Sequence, residues 1–151
     1  MMRENMSEVI VSLPSDRETM FTRFFRHRAN LLFEAWTQPE HIRHWWGCDG
    51  EQVIACEVDL REGGNWRIVA RMPGNGDKAC DTDQIFTGTY KEIIPGRRLV
   101  YSECYEAPQF GNPSWQTSVT FEDVEGGTRL THTILYASRE MRDMHLKSGM
   151  D

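Results

Sequence analysis

The sequence has no internal repeat, no low-complexity tract, no linker-like change of composition and no long hydrophobic run. We therefore predict that its 151 residues form a single domain over 1–151, with 1–13 as an N-terminal extension. The apolar run at 9–11 is far shorter than the roughly 18 residues that suggest a membrane span, and the first residues lack the apolar core of a signal peptide. We expect a cytoplasmic protein with no membrane partner.

Cysteine is scarce, and its spacing excludes the common cysteine sites. The four cysteines, Cys48, Cys56, Cys80 and Cys104, form no C-x-x-C pair. This spacing argues against a zinc knuckle and against a thioredoxin-type centre. Cys56 and Cys104 fall within predicted strands and are most simply small core residues.

Positive charge is in deficit, with 17 Lys and Arg against 23 Asp and Glu and a net charge of -6. The chain is therefore not built to neutralise nucleic-acid phosphates. One basic stretch, at Arg23, Arg26, His27 and Arg28, could meet an acidic partner, but it is more simply a solvated surface. The glycine-rich turns lack the strand-to-helix setting of a phosphate-binding loop, so no cofactor is expected.

Aromatic residues are abundant, at 11% of the chain, and include five Trp, seven Phe and four Tyr. Hydrophobic residues make up 39%. These values exclude a disordered chain and predict a domain folded around an aromatic core or cavity.

The N-terminal half begins with a predicted strand near Thr19–Arg26 and two short helices. Leu32 and Trp36 belong to one apolar stripe of the first helix. The second helix is predicted from a capping box, because Thr37 precedes Glu40 by three residues. It should carry Ile42, Trp45 and Trp46 and end at Gly47.

The rest of the chain predicts six strands and a final helix. Turn signals recur at 63–64, 74–77, 95–96, 108–113 and 126–127, and residues alternate between apolar and polar in the segments between them. Ser138 is a candidate cap for the last helix, which should end near Gly149. The expected class is α+β, with about seven antiparallel strands and an apolar face that the short helices only partly cover.

Four segments carry a resemblance to a known family. They are LLFEAWTQPEHIRHWWG, EVDLREGGNWRIVARMPGNG, FTGTYKEIIPGRRLVYSE and GGTRLTHTILYASREMRDMHLKSGM. From about Pro14 to its last residue, the chain resembles a single-domain member of the homologue family of the activator of heat-shock-protein-90 ATPase, in the START-related SRPBCC superfamily. The shared motifs are fold motifs and not catalytic ones.

The resemblance implies a helix-grip fold, in which a curved antiparallel sheet wraps around a long C-terminal helix and encloses a hydrophobic cavity. The sequence departs from the family at Arg26-His27-Arg28, where such chains usually carry an Asp-Ala-Pro turn. Related chains also continue beyond Gly149-Met150, so we expect the C-terminal helix to be truncated here. A homodimer is another way to cover the concave face.

Three functions are compatible with these features. The leading one is the binding of a small hydrophobic ligand in the cavity between sheet and helices, without catalysis. The family resemblance implies the second, a stress-response module that contacts a heat-shock-protein-90-type chaperone. The third is a cyclase- or hydrolase-type enzyme that uses cavity side chains, as some superfamily relatives do.

Two polar residues on apolar strand faces are candidates for catalysis. His132 alternates with Leu130 and Ile134, and Glu103 alternates with Tyr101. In a cavity wall, each could act as an acid, a base or a ligand anchor, and together they could form an acid/base pair. The alternative is that His132 is a hydrogen-bonded core residue and that Glu103 lies at the wet end of its strand.

The predicted ligand-binding surface is mainly aromatic. Its residues are Trp46, Trp66, Ile68, Phe86, Tyr90, Tyr101, Val119, His132 and Ile134. Flat apolar groups with a few polar partners are the usual lining of a small-molecule site, although core packing explains most of them equally well.

A metal site has little support in the sequence. His41 and His44 are three residues apart on the second helix, beside Glu40, but two histidines without a third placed ligand are a weak signal. We predict no metal.

Overall fold

The computed structural model describes residues 9–46, 52–71 and 83–147. Within these ranges, the chain forms one eight-stranded antiparallel sheet and three α-helices. The strands are β1 (Ile10–Ser12), β2 (Glu18–Phe25), β3 (Gln52–Val58), β4 (Asn65–Arg71), β5 (Asp83–Ile94), β6 (Arg98–Tyr105), β7 (Ser114–Val124) and β8 (Gly127–Tyr136). The helices are α1 (Ala29–Thr37), α2 (Pro39–Trp45) and α3 (Arg139–Lys147), and a 3₁₀ turn covers Pro108–Phe110.

The strand order is β1-β2-β8-β7-β6-β5-β4-β3. Strands β3 to β8 follow one another as hairpins, and β2 returns beside β8. Gly96 and Gly126, in the β5–β6 and β7–β8 turns, have φ angles of 74° and 85°, a region that side-chain-bearing residues rarely adopt. The turns predicted at 95–96 and 126–127 are therefore present in the structure.

One strand was not expected from the sequence. β1 lies within the predicted N-terminal extension and pairs with β2, so that Val11 faces Phe21. Its apolar side chains are exposed, with Ile10 62% and Val11 51% accessible. Because β1 buries neither face, it has no alternating pattern, and the sheet has eight strands where about seven were predicted.

The predicted capping box does not form. Thr37 is the last residue of α1, and its hydroxyl donates to the Phe33 carbonyl at 2.8 Å. Gln38 takes the N-cap position of α2, with Pro39 in the first turn. The hydroxyl bonds back into its own helix because the carbonyl four residues earlier is already within reach.

Helix α3 starts as predicted and packs against β2 and β8. The Ser138 hydroxyl accepts a hydrogen bond from the Met141 amide at 3.1 Å. The buried Arg142 guanidinium donates to the Ser15 carbonyl at 2.8 Å, and His145 Nδ1 bonds to the Tyr136 hydroxyl. These contacts hold α3 at the β2–β8 end of the concave face.

The main core lies between the concave face and α1 and α2. Leu99 and Val119 are adjacent partners on β6 and β7, and neither is exposed. A smaller core joins Phe21, Ile134 and Tyr136 near α3. None of the helices in the described ranges is long and apolar enough to span a membrane.

Candidate functional site

The predicted aromatic surface is real, but its side chains are closely packed. Five of the predicted residues surround a space of only about 20 Å³, roughly the room that one water needs. These five residues are Trp46, Trp66, Ile68, Tyr90 and Tyr101. Phe86 packs edge-on against Trp46, with ring centroids 5.4 Å apart. We call this group, with Phe86, the aromatic cluster.

Val119, His132 and Ile134 lie outside the aromatic cluster, on β7 and β8. Val119 is directly opposite His132, and Thr117 is directly opposite Ile134. Val119 is fully buried in the main core, whereas Ile134 belongs to the smaller core near α3. His132 is half-buried between the two cores.

Three polar side chains form a diagonal line across this part of the concave face. Thr117 is opposite Tyr101 on β6 and opposite Ile134 on β8, so Glu103 and His132 are its diagonal neighbours on the two sides. Diagonal neighbours in a sheet are about 7–8 Å apart, which places Glu103 about 15 Å from His132. We call Glu103, Thr117 and His132 the polar diagonal.

The distance between Glu103 and His132 shows whether these two residues can form an acid/base pair. A general acid and base that share a proton must be within hydrogen-bond reach, directly or through one water. Glu103 and His132 point to the same face but lie two strands and four residues apart. They therefore do not form an acid/base pair.

The Glu103 carboxyl is half-buried and accepts a hydrogen bond from one side chain. Burial raises its pKa to about 7, and a hydrogen bond from the Trp115 side chain partly offsets this shift. In the adjacent strand, Gly88 comes opposite Glu103, between the pairs Thr87–Cys104 and Tyr90–Tyr101. No side chain therefore stands across from the carboxyl in β5.

His132 lies between two aromatic rings. Its ring centroid is 5.8 Å from those of both Phe21 and Trp36. Burial lowers its pKa to about 4, so the imidazole is neutral near pH 7. In the part of the chain that the structure describes, its ring contacts are with these two aromatic groups.

Two buried hydroxyls on the same face lack partners among the described residues. Thr19 Oγ1 and Thr117 Oγ1 have no hydrogen bond of good geometry, although they lie beside the Tyr136 and Tyr101 hydroxyls. Buried polar groups are nearly always paired. Thr19 and Thr117 flank Ile134 in one row across β2, β8 and β7, so the unpaired hydroxyls cluster at the polar diagonal.

Aromatic side chains border the polar diagonal on both sides. On the α1 side, the half-buried Trp36 donates from Nε1 to the Tyr101 hydroxyl at 3.4 Å. On the α3 side, Trp115 lies with its ring centroid 4.9 Å from that of His145 and 6.0 Å from that of Tyr136. This arrangement gives a polar line between apolar walls, which is the make-up of a small-molecule site.

Sequence reasoning missed Thr117, Tyr136 and His145 as site residues. Thr117 and Tyr136 lie on alternating strands, which indicates their face but not their neighbours. His145 could have been suspected from its position on the apolar side of a capped helix. Which residues meet depends on the register between β6, β7 and β8, and alternation alone does not fix that register.

The other sequence candidates stay apart from this site. Glu40, His41 and His44 are exposed on α2, and no group of three metal-ligating side chains occurs among the described residues. Cys56 is a buried free thiol and Cys104 a half-buried one. Cys48 and Cys80, together with Gly47, Gly149 and the turn at 74–77, lie outside the described residues.

A larger hollow, of about 820 Å³, is lined mainly by residues of the convex face of the sheet, and the concave-face residues Trp66 and Glu103 also border it. Two of its outward hydroxyls already have side-chain partners. The Thr87 hydroxyl bonds to Glu106 at 2.9 Å, and the Thr89 hydroxyl bonds to Asn65 at 3.0 Å. These bonds leave the Thr87 and Thr89 hydroxyls less available to a ligand than the Thr19 and Thr117 hydroxyls of the concave face.

Comparison with known proteins connects this geometry to one family. A family model described as Activator of Hsp90 ATPase homolog 1-like protein matches residues 26–151. No functionally curated protein matches the chain.

Solved structures share the fold. A crystal structure of a protein from Rhodobacter sphaeroides is 26% identical and has a TM-score of 0.82. The match covers 95% of this chain and 88% of that one. One from Nitrosomonas europaea is 21% identical, with a TM-score of 0.76 and coverage of 91% of this chain and 86% of that one. A solution structure of an AHSA1-like protein from Aeromonas hydrophila is 19% identical, with a TM-score of 0.61 and coverage of 85% and 84%.

Proposed function

We propose that this chain, which belongs to the family of Activator of Hsp90 ATPase homolog 1-like proteins, binds a small, mainly apolar molecule on the concave face of its helix-grip fold. The ligand lies along the polar diagonal between Trp36 and Trp115. The aromatic cluster is the packed wall beside it. The protein acts by binding and not by catalysis.

The observation that carries this proposal is the pair of unpaired hydroxyls. A buried donor or acceptor without a partner costs about 1–3 kcal/mol. The Thr19 and Thr117 hydroxyls, on the same face, have no well-formed hydrogen bond and only a loose contact with a tyrosine hydroxyl each. A ligand that hydrogen-bonds to one of them recovers this free energy, while its apolar part gains from contact with the tryptophan rings.

Access requires a small movement of side chains. Thr117 is only 1% exposed, so a ligand reaches it after Trp36 or Trp115 has rotated. Both indoles are half-buried, so each is already partly accessible to solvent. Side-chain rearrangements of this size are common when ligands bind to otherwise preformed sites.

Binding can be tested with N-phenyl-1-naphthylamine, a neutral apolar probe whose fluorescence rises when it leaves water. We expect a saturable rise with the wild type. Thr117→Val should weaken binding about fivefold, the effect of one neutral hydrogen bond. Thr120→Val is the matched control, because Thr120 lies on the opposite face of the same strand, and it should bind like the wild type.

Native mass spectrometry of gently purified protein offers a second readout. A bound natural ligand would add mass that is lost on denaturation. Repeatedly clean spectra, together with no saturable probe binding, would sink the proposal.

A chaperone contact is the second candidate function, and the family description supports it. Under this alternative, the chain binds a heat-shock-protein-90-type chaperone and changes its ATPase rate. A pull-down and an ATPase assay with the chaperone of the source cell test it. No binding at micromolar concentrations would remove it.

The enzyme alternative is weakened by the geometry of its candidate residues. A cyclase or hydrolase on this face would have to use Glu103 or His132 singly, because they are about 15 Å apart. An apolar substitution at either position that left turnover unchanged would remove that residue from any mechanism.

A further inference from the structure

Glu103 carries a carboxyl with no cationic partner among the described residues. The ion pairs that the structure shows use other carboxylates, such as Asp59, Asp83 and Glu92, and all of these acids are substantially exposed. Glu103 accepts a hydrogen bond from Trp115. A carboxylate has about four acceptor positions, so most of its capacity is unused.

The groups around Glu103 are aromatic or small. Tyr101 is two residues away on the same face of β6, Trp115 is its direct partner on β7, and Tyr136 is the partner of Trp115 on β8. Burial is the main cause that raises the pKa values of Tyr101 and Tyr136, and the charge of Glu103 adds to both shifts, as expected for a carboxyl near both rings. Aromatic ring faces attract cations.

Among the described residues, no positive side chain contributes to the pKa shift of Glu103. Arg23 shares the sheet face but lies on β2, three strands from Glu103. His132, at the other end of the diagonal, is neutral near pH 7 because burial lowers its pKa. His145 is also held toward its neutral form by burial.

We infer that the ligand is an organic amine, and that Glu103 is the counter-ion of its ammonium group. This inference rests on the proposed function and names its ligand class. A primary ammonium offers three donors to a carboxylate that has one protein donor, and its apolar body then lies over Thr117 toward Trp36. The net charge of -6 also favours the approach of a cation over that of an anion.

Binding of an amine should displace a proton. Burial raises the pKa of the half-buried Glu103 carboxyl to about 7, so the carboxyl is partly protonated near pH 6.5. An ammonium beside it favours the carboxylate, so the proton leaves to solvent as the complex forms. The O–H bond of the acid breaks, and no other bond changes.

Three probes that differ in one group test this inference. They are 2-naphthylmethylamine, 2-naphthylmethanol and 2-naphthoate, titrated into the wild type at pH 8 and followed by tryptophan fluorescence. We expect the amine to bind at least tenfold more tightly than the alcohol, since hydrogen bonds to charged groups are the stronger ones. The naphthoate should bind more weakly than the alcohol.

Two variants test whether Glu103 causes the preference for the amine over the alcohol. Glu103→Gln should reduce amine affinity about tenfold and leave alcohol affinity within twofold. Glu57→Gln, an exposed acid on β3, is the matched control and should keep the wild-type preference. Calorimetry of amine binding at pH 6.5, in two buffers of different ionisation enthalpy, should show proton release with the wild type and none with Glu103→Gln.

The outcomes separate this inference from the proposed function. If no naphthyl probe binds the wild type, the proposed function fails. If the alcohol binds as tightly as the amine, or the naphthoate binds most tightly, the function stands and the amine inference is overturned. The wild-type series needs no variant, so a Glu103→Gln protein that fails to fold would not remove the test.

Discussion

Trp66 lies across the backbone of its cross-strand partner Gly88, so closely that a Cβ atom at position 88 would be 2.5 Å from the indole Nε1. The same Cβ would overlap the Ser102 carbonyl oxygen. Gly88 therefore lets the largest side chain of β4 lie flat on the concave face. It also means that β5 itself contributes no side chain opposite Glu103.

Gly88→Ala should destabilise the fold by about 3 kcal/mol, because backbone and indole must both move to make room. Urea denaturation measures the change. Gly111→Ala is the control, since Gly111 has open space around it but a φ angle of 80°. It should cost about 1 kcal/mol, the price of the left-handed conformation alone. Equal losses for the two variants would contradict the crowding argument.

The stability of the folded chain should depend on Glu103 between about pH 4.5 and pH 7. Its pKa rises from an ordinary 4.5 to about 7 on folding, so the folded chain binds more protons in this window and stability falls as pH rises. Glu103→Gln removes this fall. Above pH 7, we expect the variant to be more stable by on the order of 2 kcal/mol, a value reduced for partial exposure. Urea midpoints from pH 5 to pH 8 measure it.

His132 should act in the opposite direction. Its pKa falls from 6.5 to about 4 on folding, so the unfolded chain binds more protons and stability rises with pH through this window. The two effects oppose each other between about pH 4.5 and pH 6.5. His132→Leu should therefore expose the downward slope from Glu103, and a variant profile parallel to that of the wild type would argue against the His132 assignment.

Helix α3 should depend on Arg142 for its attachment. The guanidinium is buried and donates to the Ser15 carbonyl at 2.8 Å. Arg142→Ala should cost about 2 kcal/mol, because it removes a charged donor and leaves that carbonyl only the long 3.4 Å bond from the Glu18 amide. Arg139→Ala, on the same helix and 65% exposed, should change stability by less than about 0.5 kcal/mol. Similar losses of stability for the two variants in thermal unfolding would show that the buried Arg142 contributes no more than the exposed Arg139.

Most of the architecture could be predicted from the sequence. The helix-grip sheet, the helices near their observed positions, and the strands from β3 to β8 follow from alternation, glycine turns and the family resemblance. β1 could not be found, because it buries neither face. The predicted capping role of Thr37 was wrong. Its hydroxyl can either accept a hydrogen bond from an amide of the next helix or donate one to the carbonyl four residues earlier, and the sequence does not show which bond forms.

The candidate site was less accessible to sequence reasoning. Alternation correctly assigns His132 and Glu103 to apolar faces. It does not show that they are two strands and four residues apart, which is a matter of register. The abundance of aromatic residues predicts their clustering, but whether they enclose a cavity or fill it depends on side-chain packing, and here about 20 Å³ remains.

The most direct test of ligand binding on the concave face is an NMR measurement of nuclear Overhauser effects between N-phenyl-1-naphthylamine and methyl-labelled protein. Thr117 and Ile134 lie on the concave face, and Thr120 lies on the convex face of the same sheet. We predict cross-peaks from the naphthyl protons to the Thr117 and Ile134 methyl groups, and none to Thr120. Cross-peaks only to Thr120, or no cross-peaks at saturating probe, would contradict the account.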